Sequence, residues 1–459
     1  MSIILDAIQK HDPDKIAIVG EDQSLSYSKL TRSIQDHADA LFGVETLGLA
    51  LDNGVDWVLW DLAAVHANVP CVPIPPFFSE EQVFHSLHKA GVSHLLTSEG
   101  LRDTGVRGAE LLPNNTAKVT FTSGTTGTPK GVCLSQDGME NVTASLVDIL
   151  DTEFADRHLS ILPLAVLLEN IAGVYTTLLA GGTLYLPSLK TIGFAKPFQP
   201  DFQALTDYMK SQKITSAIVV PEILRGLIAV SPNLPDLKFL AVGGSKPSPS
   251  LISSARQMGL PVYEGYGLSE CASVVALNTP EHDKLGTVGK ILPHIKMTEE
   301  NGEIVIGNPS FLGYLGKTHS GAFKTGDLGH VDENGFLHID GRKKNIIITS
   351  YGRNISPEWV ESALLLRPEI AQVIVYGDGE AVLSAYIVPT SEQADIKTAV
   401  TQTNACLPDY AHIHDFHLVV PFTVNDASLT GTGRPKRDVI LKLYQPQKEK
   451  EDELLQSSC

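Results

Sequence analysis

Hydrophobic and polar positions alternate along this chain in two rhythms. Short β-branched runs at 15–20 (KIAIVG), 46–52 (TLGLALD), 92–98 (VSHLLTS) and 117–123 (AKVTFTS) read as strands. Between them, 26–42 and 56–67 carry apolar residues at helical spacing. Strands alternating with helices predict an α/β fold: a large N-terminal body of parallel-type sheets flanked by helices. The rhythm changes near Asp327. The Asp332–Gly335 stretch (DENG) reads as a hairpin turn, with Asn334-Gly335 supplying the positive φ. A strand follows at 345–350 (NIIITS), and a helix opens at Ser356-Pro357-Glu358, with serine as N-cap and proline at the first helical position. The expected division is a body over 1–340 and a small α+β domain over 341–459, whose charged end frays.

Composition narrows the function. A formal charge of −18 on 459 residues repels phosphate backbones and anionic lipid heads, so a nucleic-acid or membrane-surface binder is not expected. The most apolar stretch, Leu162–Pro187, is interrupted by Glu169, Asn170 and Gly181-Gly182 and reads as buried core rather than an integral membrane segment. Asp6 and Lys10 come too early for a signal-peptide core. Cys71, Cys133, Cys271, Cys406 and Cys459 lie far apart without a CxxC pair, which favours reduced thiols and a cytoplasmic location. Any phosphate must then be held by backbone amides and a few placed cations.

Val119–Ser135 supplies such a place. An apolar strand runs into Thr122-Ser123-Gly124-Thr125-Thr126-Gly127-Thr128-Pro129-Lys130-Gly131, where small residues expose consecutive amides beside hydroxyls and one lysine. Pro129 and Gly131 around Lys130 exclude the GxxxxGK[ST] spacing of P-loop nucleotidases.

This run resembles the phosphate loop of the adenylate-forming superfamily, which includes acyl-CoA synthetases, fatty-acyl-AMP ligases and nonribosomal-peptide adenylation domains. Further motifs follow in order. Ser160–Leu164 with Glu169 resembles LPLxHxxE, Ala241–Ser245 the GG-containing strand end, and Tyr263–Glu270 the YGxTE element. Thr325-Gly326-Asp327 matches TGD, Gly341–Lys344 matches GRxK, and Leu429–Arg437 sits where the family keeps its C-terminal lysine motif. The motifs look closer to long-chain acyl-CoA synthetases than to amino-acid adenylation domains.

The resemblance implies roles. Thr122, Ser123, Gly124, Thr125, Thr126, Gly127 and Lys130 would hold the β- and γ-phosphates of ATP. Glu270 would coordinate Mg²⁺, a cation that prefers oxygen ligands. Gly243, Gly244 and Ser245 with Glu264, Gly265 and Tyr266 would sandwich the adenine, and Gly267 and Ser269 continue that motif. Asp327 would accept from the ribose hydroxyls, Arg342 would make a second ribose or phosphate contact, and Lys344 stands at the hinge.

Two departures stand out. Val166 occupies a place where the family often has histidine or an aromatic, which favours an apolar acyl group. Aligned by its Thr-x-x-Gly frame, Arg434 takes the place of the lysine that bridges carboxylate and α-phosphate, with Lys436 as the alternative cation. If Pro435 keeps the segment extended, either can reach; if Pro435 opens the last helix, they diverge. The implied function is ATP-dependent activation of a hydrophobic carboxylic acid, a fatty acid first and an aryl acid next, to an acyl-adenylate. Transfer to coenzyme A or to the phosphopantetheine of an acyl carrier protein follows. The alternatives are a ligase that loads only a carrier protein, or a degenerate nucleotide-binding scaffold.

Overall fold

The computed structural model describes residues 2–106, 112–122, 129–150, 152–194, 200–423, 426–429 and 435–444. The chain divides into two compact units. The first contains residues 1–122, 129–325 and 329–339, and the second holds 340–459 with two short earlier segments.

Two large sheets organise the first unit. Six strands of one sheet run parallel in the order Val262–Tyr266, Phe239–Val242, Ser216–Val219, Arg157–Leu159, Thr183–Tyr185, Ile16–Val19. Ser216–Val219 is buried at every position, as expected for a strand covered on both faces. The second sheet has a parallel core of Leu47–Leu49, Cys71–Pro73, His94–Thr97 and Thr116–Thr122. Antiparallel Lys130–Ser135 then returns alongside Thr116–Thr122. All four strands read from the pattern are therefore present.

Helix Tyr27–Asp39 starts where Ser26 Oγ accepts from the Lys29 amide, and it buries Tyr27, Leu30, Ile34 and Ala38 along one face. Helix Val55–Ala67 stops at Asn68, which takes the left-handed conformation at φ 53°. The apolar 162–187 stretch breaks into a π-helical segment Glu169–Tyr175, one turn Thr176–Leu179 and strand Thr183–Tyr185. No helix among the described residues is long and apolar enough to cross a membrane.

The expected hairpin is formed by Phe323–Val331 and Leu337–Arg342. Its turn works differently from the Asn-Gly expectation: only Gly335 has positive φ, at 81°. Asp332 Oδ1 accepts from the amides of Asn334 and Phe336, an Asx-type closure.

The second unit packs helices Pro357–Leu364 and Ile396–Asn404 on a three-stranded sheet of Ile370–Tyr376, Leu383–Pro389 and Ile413–Leu418. The strand expected over 345–350 shortens to Ile347–Ile348, paired with Asn354–Ile355, while the Ile348 amide donates to Asp378 Oδ1 rather than to a longer ladder. Ser356 is at the N-cap, but its hydroxyl donates to Glu358 Oε2 at 3.0 Å and makes no cap bond to the backbone.

Candidate active site

The carboxyl ends of Phe239–Val242 and Val262–Tyr266 lie side by side, with Val242 opposite Glu264. Chain crossing out of such ends is where open α/β sheets bind ligands. Gly243, Gly244 and Ser245 leave the first strand, and Gly244 has φ 83°, a conformation glycine adopts without strain. Gly265 and half-buried Tyr266 end the second. At Gly267 a Cβ would stand 1.4 Å from the Ser273 carbonyl oxygen, so no other residue fits. The tight loop carries Ser269 and Glu270 on one 3₁₀ turn, Ser269–Cys271.

Thr122 and Lys130 face each other where the strands flanking the glycine-rich run end and begin, and Thr122 Oγ1 donates to the Lys130 carbonyl at 3.4 Å. Ser123, Gly124, Thr125, Thr126 and Gly127 lie outside the described residues. Lys130 Nζ stands 5.9 Å from the centre of the Tyr314 ring, and Tyr314 donates its hydroxyl to Glu270 Oε1 at 2.7 Å. The structure thus brings Lys130 and Glu270 together through Tyr314, which the sequence motifs did not single out. Burial, then Glu270, keeps the Tyr314 phenol well above its usual range, so it remains a donor.

No group of three or more histidine, cysteine or acidic side chains among the described residues could hold a metal. Mg²⁺ commonly takes one or two carboxylates plus substrate phosphates. Glu270 fits that donor chemistry: one oxygen is held by Tyr314, and the other accepts no hydrogen bond among the described residues.

Glu264 is 4% exposed, and burial lifts its carboxyl to about 8, with Lys246 pulling in the opposite direction. Lys246, also outside the sequence motifs, donates to the Ile339 carbonyl at 2.5 Å. Asp327 sits inside a strand rather than capping a turn; it is 3% exposed, and Arg342 Nε is 2.7 Å from its Oδ1. Lys344 is exposed.

Arg434 lies outside the described residues. Pro435 forms an extended bridge with Leu429, and helical backbone begins at 437, so Pro435 does not open the last helix. The Lys436 amide donates to the Ser428 carbonyl at 2.7 Å. Arg437 turns inward to the Val375 carbonyl and to Glu361, whose carboxyl is raised by burial and lowered by Arg437.

The Ser160–Leu164 segment is clamped. Asn53 donates to the Leu162 carbonyl at 2.9 Å and accepts from the Leu164 amide at 2.8 Å, straddling Pro163. Glu169 accepts from the Leu162 amide at 3.1 Å and meets His158 at 3.0 Å. Glu169 therefore orients this segment rather than facing solvent. Elsewhere, His85 Nε2 donates to the Pro129 carbonyl at 3.2 Å and holds the end of the glycine-rich run, a contact invisible in local sequence.

Glycine-lined strand ends beside a lysine and a carboxylate place this molecule among enzymes that bind nucleotides on an open α/β sheet. The model of the family described as AMP-binding enzyme matches residues 5–111 and 103–315, and the chain belongs to that family. It is similar to proteins named as CoA ligases. It is 28% identical over 417 residues to the 2-succinylbenzoate–CoA ligase of Bacillus licheniformis, covering 80% of this chain and 84% of that protein. Over 225 residues it is 35% identical to the long-chain-fatty-acid–CoA ligase FadD15 of Mycobacterium bovis, covering 41% of this chain and 38% of the other. The solved O-succinylbenzoate coenzyme A synthetase of Bacillus subtilis in complex with AMP superposes with TM-score 0.78 at 23% identity, over 95% of this chain and 97% of the other. That likeness establishes the adenylate-forming fold.

Proposed function

We propose that the protein joins a hydrophobic carboxylic acid to the α-phosphate of ATP, expels pyrophosphate, and passes the acyl group to the thiol of coenzyme A with release of AMP. The observation that carries this reading is the bridge from Lys130 through Tyr314 to Glu270. Both reactants are anions, so catalysis requires cations and oriented dipoles near the phosphates. Thr122 and Lys130, with Ser123–Gly127, hold the β- and γ-phosphates. Glu270 holds Mg²⁺, which when bound neutralises phosphate charge. Gly243–Ser245 and Glu264–Tyr266 take the adenine, Asp327 and Arg342 the ribose, and Arg434 or Lys436 the α-phosphate. Residues 341–459 form the cap, hinged at Lys344.

The acid is apolar and carries an aryl group or a long chain. The relative aligned over most of the chain is named for an aryl acid and the fatty-acid relative aligns over less of it, which moves the aryl acid ahead of the fatty acid. Pyrophosphate release over aryl and alkyl acids, with and without coenzyme A, tests the reading. An aryl-bearing acid should give the highest rate, and thioester should form only with coenzyme A. Folded protein that releases no acid-dependent pyrophosphate overturns it.

A further inference from the structure

Lys118 lies in strand Thr116–Thr122, four residues before that strand enters the glycine-rich loop, and its side chain is 1% exposed. Nζ donates to Asp61 Oδ1 at 2.7 Å, to the Tyr175 hydroxyl at 3.1 Å and to Asn170 Oδ1. All three donors of the ammonium are therefore used. Tyr175 in turn donates to Asp61 Oδ2 at 2.7 Å, and Asn170 Nδ2 donates to the same oxygen at 3.0 Å. Asp61 comes from helix Val55–Ala67, whereas Asn170 and Tyr175 come from the π-helical segment Glu169–Tyr175. Burial, then Asp61, keeps the Tyr175 phenol well above its usual range, so it stays a donor.

A buried ion pair adds little net stability over apolar residues of the same volume, because desolvation offsets the attraction. What a satisfied network adds is a single geometry. Here that geometry joins two functional regions. Asn170 follows Glu169, and Glu169 holds the Leu162 amide of the clamped 160–164 segment. The link from the phosphate-loop strand to that segment therefore runs through buried polar contacts on both sides, joined by the single backbone step from Asn170 to Glu169.

We infer that Lys118, with Asp61, Asn170 and Tyr175, positions the phosphate-loop strand against the segment 160–164, so that nucleotide and acid are presented in one register. Lys118 touches neither reactant. The inference rests on the adenylation reading for its meaning, but its measurements need no acid.

The test compares wild-type protein with the double variant Lys118→Met/Asp61→Asn, which removes both charges and leaves a side-chain carbonyl at position 61 to accept from Tyr175 and Asn170. Thermal unfolding should stay within a few degrees of wild type, a few degrees being what about 1 kcal/mol shifts in a protein of this size. MgATP affinity, measured by calorimetry, should fall about tenfold or more, since small misplacements cost that much. Amide hydrogen exchange should quicken together at 118–122, 129–135 and 160–164. A folded double variant with wild-type MgATP affinity and unchanged exchange at 160–164 overturns the inference. Should the double variant fail to fold, Tyr175→Phe, which deletes one hydroxyl, gives the same readouts with smaller shifts, and the same absence of change overturns it. Failure of the ligase reading shows separately, as wild-type protein that releases no acid-dependent pyrophosphate.

Discussion

The Tyr314 hydroxyl and Glu270 Oε1 are 2.7 Å apart, with the phenol donating. Tyr314 fixes one carboxylate oxygen and so orients the other. Glu270→Gln should raise the Mg²⁺ concentration needed for half-maximal pyrophosphate release. Tyr314→Phe should raise it less, since a hydrogen bond to a charged group contributes about 1.5–3 kcal/mol. Unchanged magnesium titrations in both variants would exclude Glu270 as a metal ligand.

Arg434 and Lys436 flank an extended Pro435, and the Lys436 amide is tied to Ser428. The Thr-x-x-Gly frame assigns the α-phosphate to the arginine. Arg434→Ala should therefore lose adenylation on the order of a hundredfold, the effect of removing a placed transition-state donor. Lys436→Ala should keep most of it. The reverse pattern in single-turnover pyrophosphate release would transfer the role to Lys436, and equal activity in both would remove this segment from the chemistry.

Glu264 sets a pH dependence. Its carboxyl rises from the usual 4.5 to about 8 through burial, so the folded protein binds a proton there that the unfolded chain has already lost. The stability this proton contributes is complete below about 4.5 and is lost as pH rises through about 8. Glu264→Gln should flatten the melting temperature between those values and raise it at pH 8. A parallel pair of melting curves for wild type and variant would show that Glu264 ionises normally.

Arg437 and Glu361 form a nearly buried pair, 14% and 11% exposed. Removing one partner strands the other, which costs about 3–5 kcal/mol. Arg437→Ala should lower the unfolding midpoint of the C-terminal unit, measured by exchange at Ile370–Tyr376. Arg437→Lys should recover only part of the loss, because guanidinium serves both the Glu361 carboxylate and the Val375 carbonyl.

Local pattern carried the fold a long way. The alternation over 15–67 specified strands and helices because each buries one face, and the glycine-rich run could be read as a candidate phosphate loop because its residues are contiguous. Tyr314, Lys246 and His85 were not legible, since each acts on a partner between 44 and 93 residues away. The Lys118 network was hidden for the same reason: a lysine in an apolar strand looks exposed until Asp61 and Asn170 are seen around it. The DENG turn was legible as a turn but not in mechanism, because aspartate closure and Asn-Gly closure leave similar sequence traces.

Gly243 and Gly267 respond oppositely to enlargement. Gly267 admits nothing, whereas a methyl on Gly243 would meet Leu168 Cδ2 at 3.6 Å and the Gly265 carbonyl at 3.8 Å, both ordinary contact distances. Position 243 is thus an adjustable spacer: alanine shortens the gap to Leu168 by one carbon without moving the backbone. The room beside this strand end can then be reduced at that one position while the rest of the strand end stays as it is.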